Sequence, residues 1–320
     1  MIRLSRIVCG VDLGGTQTKI GIVDESGEII LKRIIETRVS DKSETIVSRI
    51  AETIDSVIEE ISVDRGRVLG VGIGSPGSID RENGIVLFSP NFPNWRNMEL
   101  KGRIEEKTGL KTFLENDANA FALGEWAFGE HAGCDHMIGI TLGTGIGGGV
   151  ISAGQLLIGA DGFGGELGHI IVEPDGPICG CGSHGCVESI ASAPSISRLA
   201  MEKRKRFPNS RMFDSGPQPS TKQVFQAATQ GDEAALLVLE RVYRALSLAI
   251  GNYIHIFNPR YVVLGGGVSR AGEPLLKGIR RYVERFTMSS FKETYKIVLS
   301  QLFEDAGIKG AASIVFYKFS

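Results

Sequence analysis

The sequence has almost no surplus charge of either sign: 35 Lys and Arg stand against 37 Asp and Glu in 320 residues, a formal net charge of −2. That excludes a strongly cationic surface and, with it, broad electrostatic attraction to nucleic acid. Cysteine is scarce as well, five in all. Cys9 and Cys134 stand alone and read as small core residues. The other three crowd into one stretch, too close together for the disulfide framework of a secreted domain. Apolar runs are interrupted well short of membrane-spanning length. Residues 1–6 are charged and lead straight into a strand-like run, unlike a signal peptide. A reducing cytoplasm is the expected compartment, with neither membrane nor nucleic acid as partner. A P-loop is also missing, because no glycine turn is followed by Gly-Lys-Ser/Thr.

What is present in excess is glycine, 42 residues of it in clusters, which points to backbone turns that approach a ligand closely. The first 36 residues read as three strands, 6–13, 18–24 and 28–36. Residues 43–61 carry Ile46, Val47, Ile50, Ile54, Val57, Ile58 and Ile61 at helical spacing, with a capping-box-like start at Ser43 and Glu44 in the first turn. A buried strand over 67–75 runs into the breaker-rich "SPGSID". Residues 89–97 read as a loop, followed by a helix over 100–108, a strand over 111–115 and a helix over 117–129. Residues 136–152 read as strand, glycine turn, strand. Residues 207–222 are Pro-rich and irregular. A long helix over 234–257, a strand over 261–267 and a closing helix over 308–317 complete the pattern.

One repeat organises the chain. "GVDLGGTQTKIGIVD" (10–24) and "GITLGTGIGGGVIS" (139–152) share a strand, a Gly/Thr turn and a second strand. Two such hairpins, each opening an α/β unit, predict a duplicated architecture with a cleft between halves. Each turn offers backbone N–H groups to phosphate oxygens: Gly14, Gly15, Thr16, Thr18 and Lys19 in the first, Gly143, Thr144 and Gly145 in the second. Gly265, Gly266 and Gly267 form a third approach point. "GTGIGG" fits a dinucleotide fingerprint in spacing but precedes a strand, not a helix, so a Rossmann site is disfavoured. Asp12, at the end of the first strand, suits Mg²⁺ held through water beside the phosphates. At the equivalent place in the second hairpin stands Thr141.

Asp117 begins a helix directly after a strand. Taken alone it reads as an N-cap; a rigid carboxylate there also suits a base for phosphoryl transfer. In the same way, His169, Cys179, Cys181 and Cys186 supply one nitrogen and three sulfurs, the donor count of a closed tetrahedral zinc site. Cys-x-Cys spacing leaves disulfide or redox chemistry open, and His184 is an alternative fourth ligand.

Asp12–Thr16, "GIGSPGSID", "ENDANA", "TLGTGIGGG", "GELGH" and "CGCGSHGCVE", in that order over nearly the whole chain, resemble the ROK family of the actin-like sugar-kinase superfamily, most of all its bacterial glucokinase branch. The resemblance implies an α/β, two-domain actin-like (ribonuclease H-like) ATPase fold with a cleft. The smaller domain is expected over 1–116 plus a C-terminal helix at about 307–320, and the larger over 117–306 with the zinc loop. It implies an ATP-dependent hexose kinase, most of all a glucokinase, with N-acetylmannosamine kinase or fructokinase as alternatives. A sugar-sensing regulator is disfavoured because some five residues before Ile7 are too few for a helix-turn-helix. Asp117 becomes the general base. The sugar contacts become Gly77, Ser78, Asn91, Asn116, Asp117, Glu166, His169 and Glu188. The cofactors implied are ATP, Mg²⁺ and a structural Zn²⁺ on His169 and the three cysteines; a homodimer or homotetramer is expected.

Overall fold

The structure, a computed structural model, describes residues 6–318. Residues 1–5, part of the expected leaderless start, and the last two of the expected 307–320 segment lie outside the described residues.

The chain begins β1 (Ile7–Leu13), β2 (Gln17–Asp24), β3 (Ile29–Glu36), α1 (Ser43–Glu60) and β4 (Val68–Ser75). There follow β5 (Ser78–Asp80), β6 (Ile85–Phe88), β7 (Arg96–Met98), α2 (Leu100–Thr108) and β8 (Thr112–Asn116). The second half runs α3 (Asp117–Phe128), β9 (Met137–Leu142), β10 (Ile146–Ser152), β11 (Gln155–Leu156), α4 (Glu188–Ala191) and α5 (Ala193–Lys203). It continues with α6 (Thr221–Thr229), α7 (Glu233–Phe257), β12 (Tyr261–Gly265), α8 (Glu273–Phe286), β13 (Lys296–Leu299) and α9 (Ala306–Lys318).

Two five-stranded sheets carry the architecture, in the orders β3-β2-β1-β4-β8 and β11-β10-β9-β12-β13. In each, an antiparallel hairpin leads into parallel neighbours: β1 pairs β2 antiparallel and β4 parallel, while β9 pairs β10 antiparallel and β12 parallel. The repeat in the sequence is therefore a repeat of sheet topology, with the two glycine turns at matching hairpin ends.

Helix α1 buries Ile46, Val47, Ile50, Ile54, Val57 and Ile58, the residues whose spacing marks it as helical. Each contributes roughly 1.5–3 kcal/mol to the core. Its start differs from expectation: Lys42 holds the N-cap position without a side-chain cap, and Ser43 is already helical. Residues 76–98 differ more, since the breaker-rich segment and the expected loop hold the small sheet β5-β6-β7. Strands of three or four residues are too short to show alternation. Residues 273–299, without an expected element, form α8 and β13. Cys9 is fully buried, and burial pushes its thiol up to about 12; Cys134 is half-buried rather than a core residue.

Helix α9 returns the chain to the first sheet. Gly72 of β4 lies so close to the Ala311 carbonyl that no Cβ fits between them. Helix α3 lies on the second sheet, with Ala122 against Gly139 of β9 and Gly149 of β10. The two helices pack on each other where Gly124 meets Gly310; a Cβ on Gly124 would stand 2.8 Å from the Gly310 Cα. This glycine-to-glycine crossing brings the N-terminus of α3 to the junction of the two sheets.

Candidate active site

The strand β8 delivers Glu115, Asn116 and Asp117 to that junction. Asn116, not Asp117, is the N-cap of α3: its Oδ1 accepts the Ala118 and Asn119 amides at 2.9 and 3.2 Å. Its Nδ2 donates to the Gly77 carbonyl at 3.1 Å. The capping role first attached to Asp117 thus belongs to its neighbour, and Asn116 is occupied with backbone as well as facing the pocket. Asp117 is the first helical residue, and its Oδ1 accepts the Ala118 N–H at 2.9 Å.

Asp117 is open to water at the floor of a cleft yet surrounded by protein on every other side. Burial, chiefly, and then the negative charge of Asp12 push its carboxyl up to about 6, against the Ala118 N–H, which lowers it. Glu166 adds a smaller push in the same direction.

Two cavities meet at this side chain. One is lined by Gly77, Ser78, Asn116, Asp117, Phe163, Gly165 and Glu166. The other is lined by Asp12, Lys19, Asp117, Thr141, Gly265, Gly266, Gly267 and Arg270. Asp117 and Ala118 line both.

On the side of Asp12, β1 and β2 set Asp12 opposite Lys19, with 3.8 Å between carboxylate and ammonium. Burial raises the Asp12 carboxyl while Lys19 opposes the shift. Thr18 is a correction: it is fully buried, and its hydroxyl is 2.8 Å from that of Thr37, which itself donates to the Gly14 carbonyl. A strand residue alternates inward at that position, so its hydroxyl holds the turn together instead of facing a ligand. Gly265, Gly266 and Gly267 are among the residues that line this cavity, while Gly14, Gly15 and Thr16 of the first turn and Gly143, Thr144 and Gly145 of the second are not.

Asn91 packs on Gly15, where a Cβ would stand 3.2 Å from its own. It therefore sits over the first glycine turn and is not among the residues lining the cavity with Glu166.

Next to Glu166 lies the Cys/His lobe. His169 presents Nε2 toward Glu166 at 3.9 Å and Nδ1 toward the Cys179 sulfur at 3.6 Å. The ligand atoms of His169, Cys179, Cys181 and Cys186 all fall within 4.8 Å of one another. The Cys181 and Cys186 sulfurs are 3.7 Å apart. Zinc–thiolate bonds near 2.3 Å in a tetrahedron imply sulfur separations of about 3.8 Å, so the donor set fits zinc in kind and spacing. His184 stands outside it, its Nδ1 at 3.3 Å from the Gly176 carbonyl. Gly185 permits the fold-back, with φ of 66° and no room for a Cβ beside the Glu173 carbonyl.

Glu188 starts α4 and faces two ways: Oε1 is 3.6 Å from the Cys179 sulfur, and Oε2 accepts the Ile146 amide at 2.9 Å. It leans on the second glycine turn, and a Cβ on Gly145 would stand 2.6 Å from it. Expected as a sugar contact, it is not among the residues lining that cavity; its two oxygens are turned to the Cys179 sulfur and to the glycine turn.

Sequence patterns do not reveal Arg270, which ion-pairs with Glu304 at 3.1 Å across the cleft. Nor do they reveal the adjoining cavity lined by Thr221, Lys222, Phe225, Gln226, Gly267 and Arg270. Charged residues on loops and helix ends carry no periodic signal.

A family model described as the ROK family matches residues 8–317. The chain belongs to the ROK family. It is 52% identical over 309 residues to a glucokinase of Thermotoga maritima, covering 96% of each chain. A glucokinase of Halalkalibacterium halodurans is 37% identical, over 96% of this chain and 94% of that one. Among solved structures, a ROK glucokinase from Streptomyces griseus in complex with glucose and AMPPNP superposes with a TM-score of 0.82 at 36% identity, covering 96% of this chain and 98% of that one. The paired sheets are thus the two-lobed actin-like frame of ROK sugar kinases. Among the described residues, no helix is long and apolar enough to cross a membrane.

Proposed function

We propose that this ROK protein is an ATP-dependent hexose kinase with glucose as acceptor. The observation that carries the reading is the position of Asp117, the one carboxylate shared by the two cavities. A base placed there touches an acceptor hydroxyl on one side and a transferring phosphoryl group on the other. In the proposed step, the sugar 6-hydroxyl oxygen forms a bond to the γ-phosphorus as the bond from that phosphorus to the β,γ-bridging oxygen breaks. ADP leaves with the bridging oxygen, and Asp117 takes the hydroxyl proton.

The remaining roles follow from charge and reach. Gly265–Gly267 and Lys19 offer N–H groups and a cation to phosphates. The cavity beside Phe225 and Lys222 adjoins the phosphate side and suits the nucleoside. Asp12 would hold Mg²⁺ through water; the ion supplies charge neutralisation for the phosphates. Gly77, Ser78, Asn116 and Glu166 are proposed as sugar contacts, with the His169 Nε2 edge behind Glu166. His169, Cys179, Cys181 and Cys186 would hold a structural zinc that fixes the His169 ring. Asn91 and Glu188 are assigned to the rims of the two glycine turns.

The two sheets are proposed as two domains, 1–116 with the α9 segment and 117–306, hinged at the α3–α9 crossing. A cytoplasmic location and a homodimer or homotetramer belong to the same proposal; sedimentation of the purified chain decides the second. Phosphorus NMR of a reaction with Mg²⁺-ATP and glucose tests the activity. The expected product is a sugar phosphate monoester at the 6-position together with ADP. Inorganic phosphate with no sugar ester would contradict the proposal, and N-acetylmannosamine or fructose consumed in preference to glucose would reassign the acceptor.

A further inference from the structure

Asn119 is the third residue of α3, only 4% exposed, and it takes no part in the mechanism above. Its orientation is set by chemistry. The Glu115 carboxylate can only accept, so Asn119 Nδ2 donates to Glu115 Oε1 at 3.1 Å and Oδ1 points the other way. Glu115 cannot swing aside, because it also accepts from Arg81 at 2.6 Å and from the Asn116 amide at 2.9 Å. Arg81 follows β5, which begins at Ser78 of the sugar cavity, so one carboxylate ties that wall to the start of α3.

Asn119 Oδ1 is fully buried and has no hydrogen-bond partner among the described residues. An acceptor stranded in this way costs stability until a donor reaches it. What faces it is glycine: a Cβ on Gly149 would lie 3.1 Å from Oδ1, and one on Gly165 would lie 3.6 Å away. Among the described residues, the Gly165 and Glu166 amides donate to nothing. Gly159, Gly162 and Gly165 hold φ of 72°, 83° and 93°, backbone conformations that glycine adopts without the steric cost of a Cβ. Their segment carries Phe163 and Glu166, both of which line the sugar cavity. An unused acceptor thus lies beside Gly165, next to two amides without a protein acceptor among the described residues, in a segment that ends in a proposed sugar ligand.

We propose that Asn119 is a positioning residue for the acceptor sugar: its Oδ1 accepts the Gly165 or Glu166 N–H when the segment 159–166 closes, and so holds Glu166 over the pocket. The proposal rests on reading that cavity as the sugar site. Glu115 and Arg81 keep the Asn119 acceptor pointed at the segment.

Hydrogen exchange over 159–166, measured on the full chain with and without glucose, tests it together with steady-state kinetics of Asn119→Ala. Glucose is expected to slow exchange there in the unaltered protein and to lose that effect in Asn119→Ala. The variant is expected to raise KM for glucose about tenfold and leave KM for ATP unchanged, the effect of losing one good hydrogen bond. Asn119→Ser, which keeps a shorter acceptor, is expected between the two and carries the same test should the alanine variant not fold. Undiminished protection with an unchanged glucose KM would overturn the proposal. So would a parallel rise in KM for ATP, which would mark a general loosening of α3. If glucose neither binds the unaltered protein nor slows exchange in it, the sugar-site reading falls, and this proposal with it.

Discussion

At Asp117 the demands of a helix start and of the proposed general base are divided between neighbours. Asn116 caps α3, which frees the next carboxylate to face both cavities. Asp117→Asn keeps the shape and removes the proton acceptor, so kcat is expected to fall by about 10²- to 10⁴-fold in a coupled assay, the usual worth of a general base. Because burial lifts the Asp117 carboxyl to about 6, kcat/KM should rise with pH through about 6 as the base ionises. The same shift has a stability consequence of definite sign. The unfolded carboxyl titrates near 3.9, so an ionised Asp117 destabilises the folded protein, fully above about pH 6 and not at all below about pH 4. Asp117→Asn is therefore expected to melt at a higher temperature than the unaltered protein at pH 8, with the difference vanishing near pH 4. An equal melting temperature at pH 8 would argue against a strained carboxylate.

Among the elements, α3 and α9 decide how the two sheets meet, and the Cys/His lobe is proposed to hold the wall of the sugar cavity. Gly124 and Gly310 leave no room for side chains between the helices. Gly310→Val is expected to destabilise the protein by about 1–3 kcal/mol, the usual cost of overpacking, read from urea midpoints. Cys181→Ser should deplete zinc by elemental analysis and raise KM for glucose, because the ring of His169 beside Glu166 loses its anchor. Unchanged zinc would reject the site. Periodic elements such as α1, α2 and the strands β1, β2 and β4 were legible in the sequence, because burial of one face or of both imprints a pattern. The small sheet β5-β6-β7, α8 and β13 were not, being short or dependent on partners distant in sequence. The same contrast holds in the site. Asp117, Glu166 and the Cys/His cluster sit in motifs that the chain brings together, whereas Thr18 faces the wrong side of its strand. Arg270, Arg81 and Asn119 acquire meaning only through contacts made on folding.

For the molecule as a whole, a duplicated sheet topology produces a cleft whose two cavities meet at one carboxylate. Closing such a cleft brings phosphates from one side to a hydroxyl on the other and expels water that would otherwise accept the phosphoryl group. Sugar and nucleotide are therefore expected to stabilise the protein beyond either alone, a rise in melting temperature greater than the sum of the separate rises. The most direct measurement is ADP release with Mg²⁺-ATP across a panel of hexoses, run in parallel on the unaltered protein and on Asp117→Asn. The predicted result is glucose-dependent ADP release that falls at least a hundredfold in the variant. No ADP release with any hexose, or full turnover by Asp117→Asn, would contradict the account.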